Sequence, residues 1–238
     1  MTIAYNTGAA AATQSSGTGV FTLTIPAGVL PGDVLLIAAT GGHNRLPPSD
    51  MTVTSSGTPL TQLGVTQRQD AFYTFEYGLF WAVADAADPG AMITVTWTAD
   101  TTGFAIAVAA YTGAAGVDGY GSTGNFAATI TAPSVVTTVP GDWAVQMAAT
   151  YASSTLTPPT GTPRTAASDG TPGSGVAVAV VDTAAPVGPA GTVIGGGVFT
   201  PGNSYINFAS TAGVNPQISP GTPVVPGQRF TRGISMWS

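Results

Sequence analysis

The chain has 238 residues, 44% of them hydrophobic and 7% charged, where an average soluble domain carries about 25% charged residues. It contains no Cys, no Lys, five Arg, one His (His43) and one Glu (Glu76), with a net charge of −6 and 51 residues of Gly plus Pro, 32 and 19 respectively. High hydrophobicity with low net charge argues against disorder, and the acidic balance with so few cations argues against nucleic acid as a partner. Without Cys there is no disulfide framework.

In chain order, the N-terminal segment MTIAYNTGAAAATQSSG has no basic stretch leading into an apolar one, so it does not read as a secretory signal. Phe21, Leu23 and Ile25 alternate with Thr22 and Thr24, the period of a strand with one buried face and one wet one. Pro31-Gly32-Asp33 then opens the run Val34 to Ala39, which is far shorter than the roughly 18–20 apolar residues that span a bilayer, so no membrane is expected. His43 and Arg45 follow in a polar loop, Gly41 to Asp50, that is a candidate for ligand or interface contact. With a single His and no Cys, transition-metal ligation is disfavoured there.

From Tyr73 to Val83 the odd positions are large and apolar, so Tyr73, Phe75, Tyr77, Leu79 and Trp81 read as the core face. Phe72 and Phe80 lie on the other face and are expected to meet a neighbouring molecule. Asp88-Pro89-Gly90 turns the chain into Ile93, Val95 and Trp97, each alternating with Thr. Glu76 with Asp70 or Asp85 is the best carboxylate pair on offer for glycosidase chemistry, and Asp85 with Asp88 for Ca²⁺, but Asp residues beside turns are explained by bonds to the local backbone. Trp143 to Tyr151 and Val176 to Val180 alternate again, and Leu156 to Gly175, containing Arg164, is a second exposed loop. Gly213 to Gln228 carries four Pro, suiting an arm along another subunit or a surface crossover. No G-x-S-x-G elbow opens a helix.

These elements predict an all-β fold of about 11–14 strands, an antiparallel β-sandwich of jelly-roll or Ig-like type, with 1–238 as one domain. The chain also repeats. Pro31-Gly32-Asp33 and its run match Pro140-Gly141-Asp142 and its run, both ending in Ala-Ala-Thr; Leu79 to Ala87 matches Val176 to Ala184; Phe104 to Gly113 matches Ser204 to Gly213. The halves are placed at about 20–113 and 126–213. They form either two sheets packed face to face or two tandem sandwiches, the first being favoured because no polar linker divides them.

The succession PAGVLPGDVLLIAATGG, LFWAVADAADPGAMITVTWT, FAIAVAAYTGA, VTTVPGDWAVQMAATYASS and GVAVAVVDTAAPVGPAG resembles virion structural proteins of tailed phages of actinobacteria, over most of the chain from about Ile25. The resemblance implies a β-sandwich on the particle surface, as a head decoration or minor tail protein, assembled in the host cytoplasm. Its partners would be identical subunits and the major capsid or tail proteins of the same virion, with no catalytic residues, metal or cofactor. The alternative is a receptor- or glycan-binding module of the tail, in which Arg45 and Arg164 contact a host cell-surface glycan.

Overall fold

The structure is a computed structural model, and it describes residues 2–13, 17–44, 51–69, 73–151, 155–169, 175–202 and 206–217. The described residues are all-β, in antiparallel sheets. The first sheet has the order β1 (Ala4–Thr13), β7 (Met92–Thr112), β3 (Val34–Asn44), β6 (Tyr73–Val83), β5 (Thr61–Gln69). The second has the order β8 (Ala114–Asn125), β17 (Ile206–Pro216), β11 (Trp143–Tyr151), β14 (Val176–Asp182), β13 (Thr162–Ser168). Their inner faces meet in one core, where Val34, Leu36, Ala38, Tyr77 and Leu79 pack with Val145, Met147, Val178, Val180 and Phe208. Tyr77 stacks on Phe208 at 5.8 Å, and Phe75 lies 4.1 Å from Tyr151, so aromatic pairs join the two sheets.

Both outer faces are covered along their central strands. The beginning of β7, Met92–Thr96, pairs with β2 (Gly17–Thr24) on one side and β4 (Thr52–Ser55) on the other. From Phe104 to Thr112 the same strand pairs with β1 and β3 inside the first sheet. This three-stranded flap lies over the outer face and closes a second core containing Leu35, Ile37, Phe80, Ile93, Val95 and Trp97. On the far side, β9 (Ile130–Thr131), β16 (Val198–Pro201) and β12 (Leu156–Thr157) cover the second sheet, beside the pair β10 (Val135–Val136) and β15 (Val193–Ile194). The result is four layers, and strands buried on both faces need apolar side chains at consecutive positions. That explains why Val34 to Ala39 is an unbroken run, each residue 0% exposed. Full burial of such a side chain contributes roughly 1.5–3 kcal/mol.

The Thr faces are wet as expected on the flap strands, where Thr22 and Thr24 are exposed and Thr94 and Thr96 half-buried beside buried Leu23, Ile25, Ile93 and Val95, whereas the expectation of 11–14 strands is corrected. Seventeen strands occur among the described residues, four of them two residues long and too short to show a period. Phe80 does point away from Tyr77 and Leu79, but at 4% exposure it lies under the flap and meets no neighbouring molecule.

The two sheets have one topology. Reading β1-β7-β3-β6-β5 beside β8-β17-β11-β14-β13, each strand has a counterpart at the same place in chain order, and the flap β2-β7-β4 corresponds to β9-β16-β12. The correspondence extends to irregularities. Asn6 is the extra residue in β1 and Asp118 the extra residue in β8; Leu63 bulges from β5 and Arg164 from β13. The units run from Ala4 to Thr112 and from Ala114 to Pro216, each beginning with an edge strand that lies outside the sequence boundaries at 20 and 126. Gly113 alone connects them, at φ 73°, a left-handed conformation open chiefly to glycine.

Candidate functional site

The sheets are joined at one end by a polar cluster. Arg164 is the bulged residue of β13 and reaches Asp182 on β14 with both prongs, Nε to Oδ2 at 2.7 Å and Nη2 to Oδ1 at 2.8 Å. Tyr111 Oη, from β7 in the opposite sheet, donates to Asp182 Oδ2 at 3.1 Å, and the Ala184 N–H donates to Oδ1 at 2.8 Å. The Tyr5 ring of β1 covers the guanidinium, 4.6 Å from centroid to Cζ. The Asp182 side chain is 0% exposed and that of Arg164 16%. Burial, followed by the Asp182 charge, raises the Tyr111 phenol well above its ordinary value, so it remains a neutral donor. Burial also raises Tyr5, and the bond to Asp182 raises Arg164. With its guanidinium neutralised in this bidentate pair, Arg164 ties β13 to β14 within the second sheet and meets the first sheet through the Tyr5 ring, whereas the sequence alone makes it a glycan contact.

In the first sheet the equivalent positions are apolar. Asp182 pairs with Thr162 as Trp81 pairs with Thr61, and the bulges that follow are Arg164 and Leu63. Leu63 and Trp81 pack against the central core. One half therefore uses an aliphatic–aromatic contact where the other uses an ion pair.

The remaining carboxylates near the sequence candidates are also held. Glu76 Oε1 accepts from Gln67 Nε2 at 2.8 Å and Oε2 from the Met51 N–H at 3.0 Å, anchoring the segment before β4. Asp88 accepts from Thr58 N, Thr58 Oγ1 and Asp85 N, and Asp85 Oδ1 accepts from Ala87 N, the pattern of turn caps. Glu76 lies in β6, held by an amide side chain and a backbone N–H, and Asp85 and Asp88 lie in the turn beyond it, held by backbone N–H groups and, for Asp88, the Thr58 hydroxyl. Among the described residues, no three His, Cys, Asp or Glu side chains cluster as a metal group. The backbone of His43 closes the end of β3, opposite Thr74 and Thr101. Arg45, Phe72 and Asp70 lie outside the described residues, as does the Pro-rich segment beyond Gln217; its first residues, up to Pro216, belong to β17.

The feature that sequence reasoning missed is a cleft of about 480 Å³ on the outer layer of the second sheet, lined by Gln146, Pro159, Thr160 and Gly195 to Val198. Gln146 Oε1 accepts from the Gly197 N–H at 3.0 Å. A Cβ at Gly197 would collide with that oxygen and with Pro159, so the glycine keeps the amide in place. The corresponding residue of β3 is Ile37, fully buried beneath the other flap. The only signal in the sequence is a polar Gln inside an otherwise apolar strand, together with Gly195-Gly196-Gly197.

No protein-family model, no curated protein and no solved structure matches the chain.

Proposed function

We propose that this chain is a non-enzymatic structural protein of a bacteriophage virion, displayed on the particle surface as a homo-oligomeric head decoration or minor tail protein. The observation that carries the reading is the role of the ionisable side chains: Glu76, Asp88, Arg164 and Asp182 each tie strands, turns or flaps together. Catalysis needs such groups poised toward a substrate with a partner acid or base, whereas a surface building block needs a rigid body with apolar patches for packing. Val136 and Val193, paired on the outermost two-stranded ribbon and 55% and 65% exposed, supply one such patch. The test is quantitative mass spectrometry of purified particles together with light scattering of the isolated protein. A fixed copy number per particle and a discrete oligomer are expected. Absence of the chain from particles overturns the reading.

The cleft at Gln146 favours one alternative, a glycan-binding module of the phage tail. A sandwich holds surface segments rigidly, and Gln146, Thr160 and the backbone of Gly195 to Gly197 offer neutral polar groups that suit sugar hydroxyls. Binding of host cell-wall glycan at up to millimolar concentration, lost in Gln146→Ala, would establish it. No binding would remove it.

A further inference from the structure

The two halves differ at one more equivalent position, and the difference leaves buried oxygens without partners. In the first half, Asp33 of the Pro-Gly-Asp turn is 1% exposed and fully bonded. Asn6 Nδ2 donates to its Oδ2 at 2.7 Å, the Leu30 N–H to Oδ2 at 3.0 Å, and Thr112 Oγ1 to Oδ1 at 2.6 Å. In the second half, Asp142 occupies the place of Asp33, Asp118 that of Asn6, and Asn215 that of Thr112. The amide donor has become a carboxylate. Asp142 is 0% exposed and neither of its oxygens has a hydrogen-bond partner, nor does Asp118 Oδ1 or Asn215 Oδ1. Asp118 Oδ2 accepts from the Thr138 N–H at 3.0 Å and from Thr138 Oγ1.

Two carboxylates that face each other are both acceptors, and no hydrogen bond forms between them until one carries a proton. We propose that Asp118 and Asp142 hold a single proton between them, forming a pH-sensitive latch that fastens the bulge of β8 to the turn entering β11. Few other ionisable groups surround the Asp142 carboxyl. β17 from Ile206 to Pro216, the segment 133–141 and the segment 183–192 present no ionisable side chain; β11 carries only Tyr151, at its other end, β8 adds Tyr120, and Asp182 at the end of β14 is ion-paired with Arg164. Burial is the first cause that raises Asp142, to about 7, followed by the Asp118 charge and the hydrogen bond to Asp118 that the protonated form makes; the nearby Thr138 and Val139 N–H groups oppose it. The latch also holds the outer layer, because that turn is bonded to the ribbon loop through Val187 N to Asp142 O at 2.9 Å and Thr137 N to Thr192 O at 2.9 Å.

The sign follows from linkage. The folded-state value lies above the ordinary carboxylate value of 3.8, so the stabilisation is complete below about pH 4 and is lost as pH rises through about 7. The test is denaturant unfolding of the full chain between pH 5.5 and 8.5, in wild type, Asp118→Asn and Asn6→Asp. Asn at 118 restores the arrangement seen at Asn6 and Asp33, with an amide donor for Asp142. In wild type the unfolding constant is expected to rise up to about tenfold per pH unit between pH 5.5 and 6.5 and to level off above 7, as for one linked proton. Asp118→Asn should remove that rise, and Asn6→Asp should add a second one. Equal pH dependence in wild type and Asp118→Asn overturns the proposal. So does restoration of wild-type stability at pH 8 by millimolar CaCl₂ alone, which would assign the pair to a cation.

Discussion

Replacing Arg164 by Met isolates the energetics of the buried ion pair that joins β13 to β14. The substitution keeps the aliphatic stem and removes two charge-assisted bonds, 2.7 and 2.8 Å long, to a carboxylate whose side chain is 0% exposed. Breaking one side of a buried pair costs about 3–5 kcal/mol, because the remaining charge stays buried. Here Asp182 retains the Tyr111 hydroxyl and the Ala184 N–H, which places the cost near the low end, about 3 kcal/mol. For a chain of this size that corresponds to a fall in Tm of about 6–12 °C. The double variant Arg164→Met/Asp182→Leu imitates the apolar solution that Leu63 and Trp81 provide in the other half. It leaves the buried Tyr111 hydroxyl without its acceptor, and the Ala184 N–H too, though in an exposed turn where water replaces the carboxylate, so stability should return to within about 1–2 kcal/mol of wild type. Urea unfolding with a constant m-value measures both. A single-variant cost below about 1 kcal/mol, the level of an exposed pair, would refute the reasoning. A double variant less stable than the single would refute it equally.

Phe208→Ala removes the ring stacked on Tyr77 in the central core and should cost about 3–5 kcal/mol by urea unfolding, more than any single loss in the outer layers. Burial raises the Tyr77 phenol above its ordinary value, and that of Tyr111 likewise. Their folded-state values exceed the unfolded ones, so the stability they contribute is intact below about pH 10 and is lost as pH rises above it. Absorbance at 295 nm should therefore show both phenols ionising only together with unfolding. Gly113→Ala places a Cβ at φ 73° against the Thr2 carbonyl, and should destabilise by about 1–2 kcal/mol while leaving the far-ultraviolet circular dichroism of the folded state unchanged.

The fold class and the matching turns were readable in the sequence because they depend on local chemistry: Pro and Gly dictate turns, and Asp33 and Asp142 each close one before an apolar run. What was not readable depends on pairing. The match of Asp85 with Asp182 rests on adjacent letters, whereas the registers put Asp182 at the place of Trp81, since Leu36 faces Trp81 and Val145 faces Asp182. A bulge is likewise invisible until the partner strand is known, so Arg164 looked like a loop residue free to meet a ligand. Phe80 was misplaced for a related reason. Alternation distinguishes the two faces of a strand, but the flap that buries the second face comes from residues far away in sequence, Gly17 to Thr24 and Met92 to Thr96. Asp118 stands out only beside Asn6, and Gln146 gains its meaning only beside Ile37, equivalences that the strand registers alone supply.

Single-particle cryo-electron microscopy of intact particles that carry this chain tests the proposed role most directly. The account predicts four-layered sandwiches in a regular oligomeric arrangement on the surface of the head or tail, packed through outer-layer patches such as Val136 and Val193. A particle whose density is completely explained by other chains would contradict it.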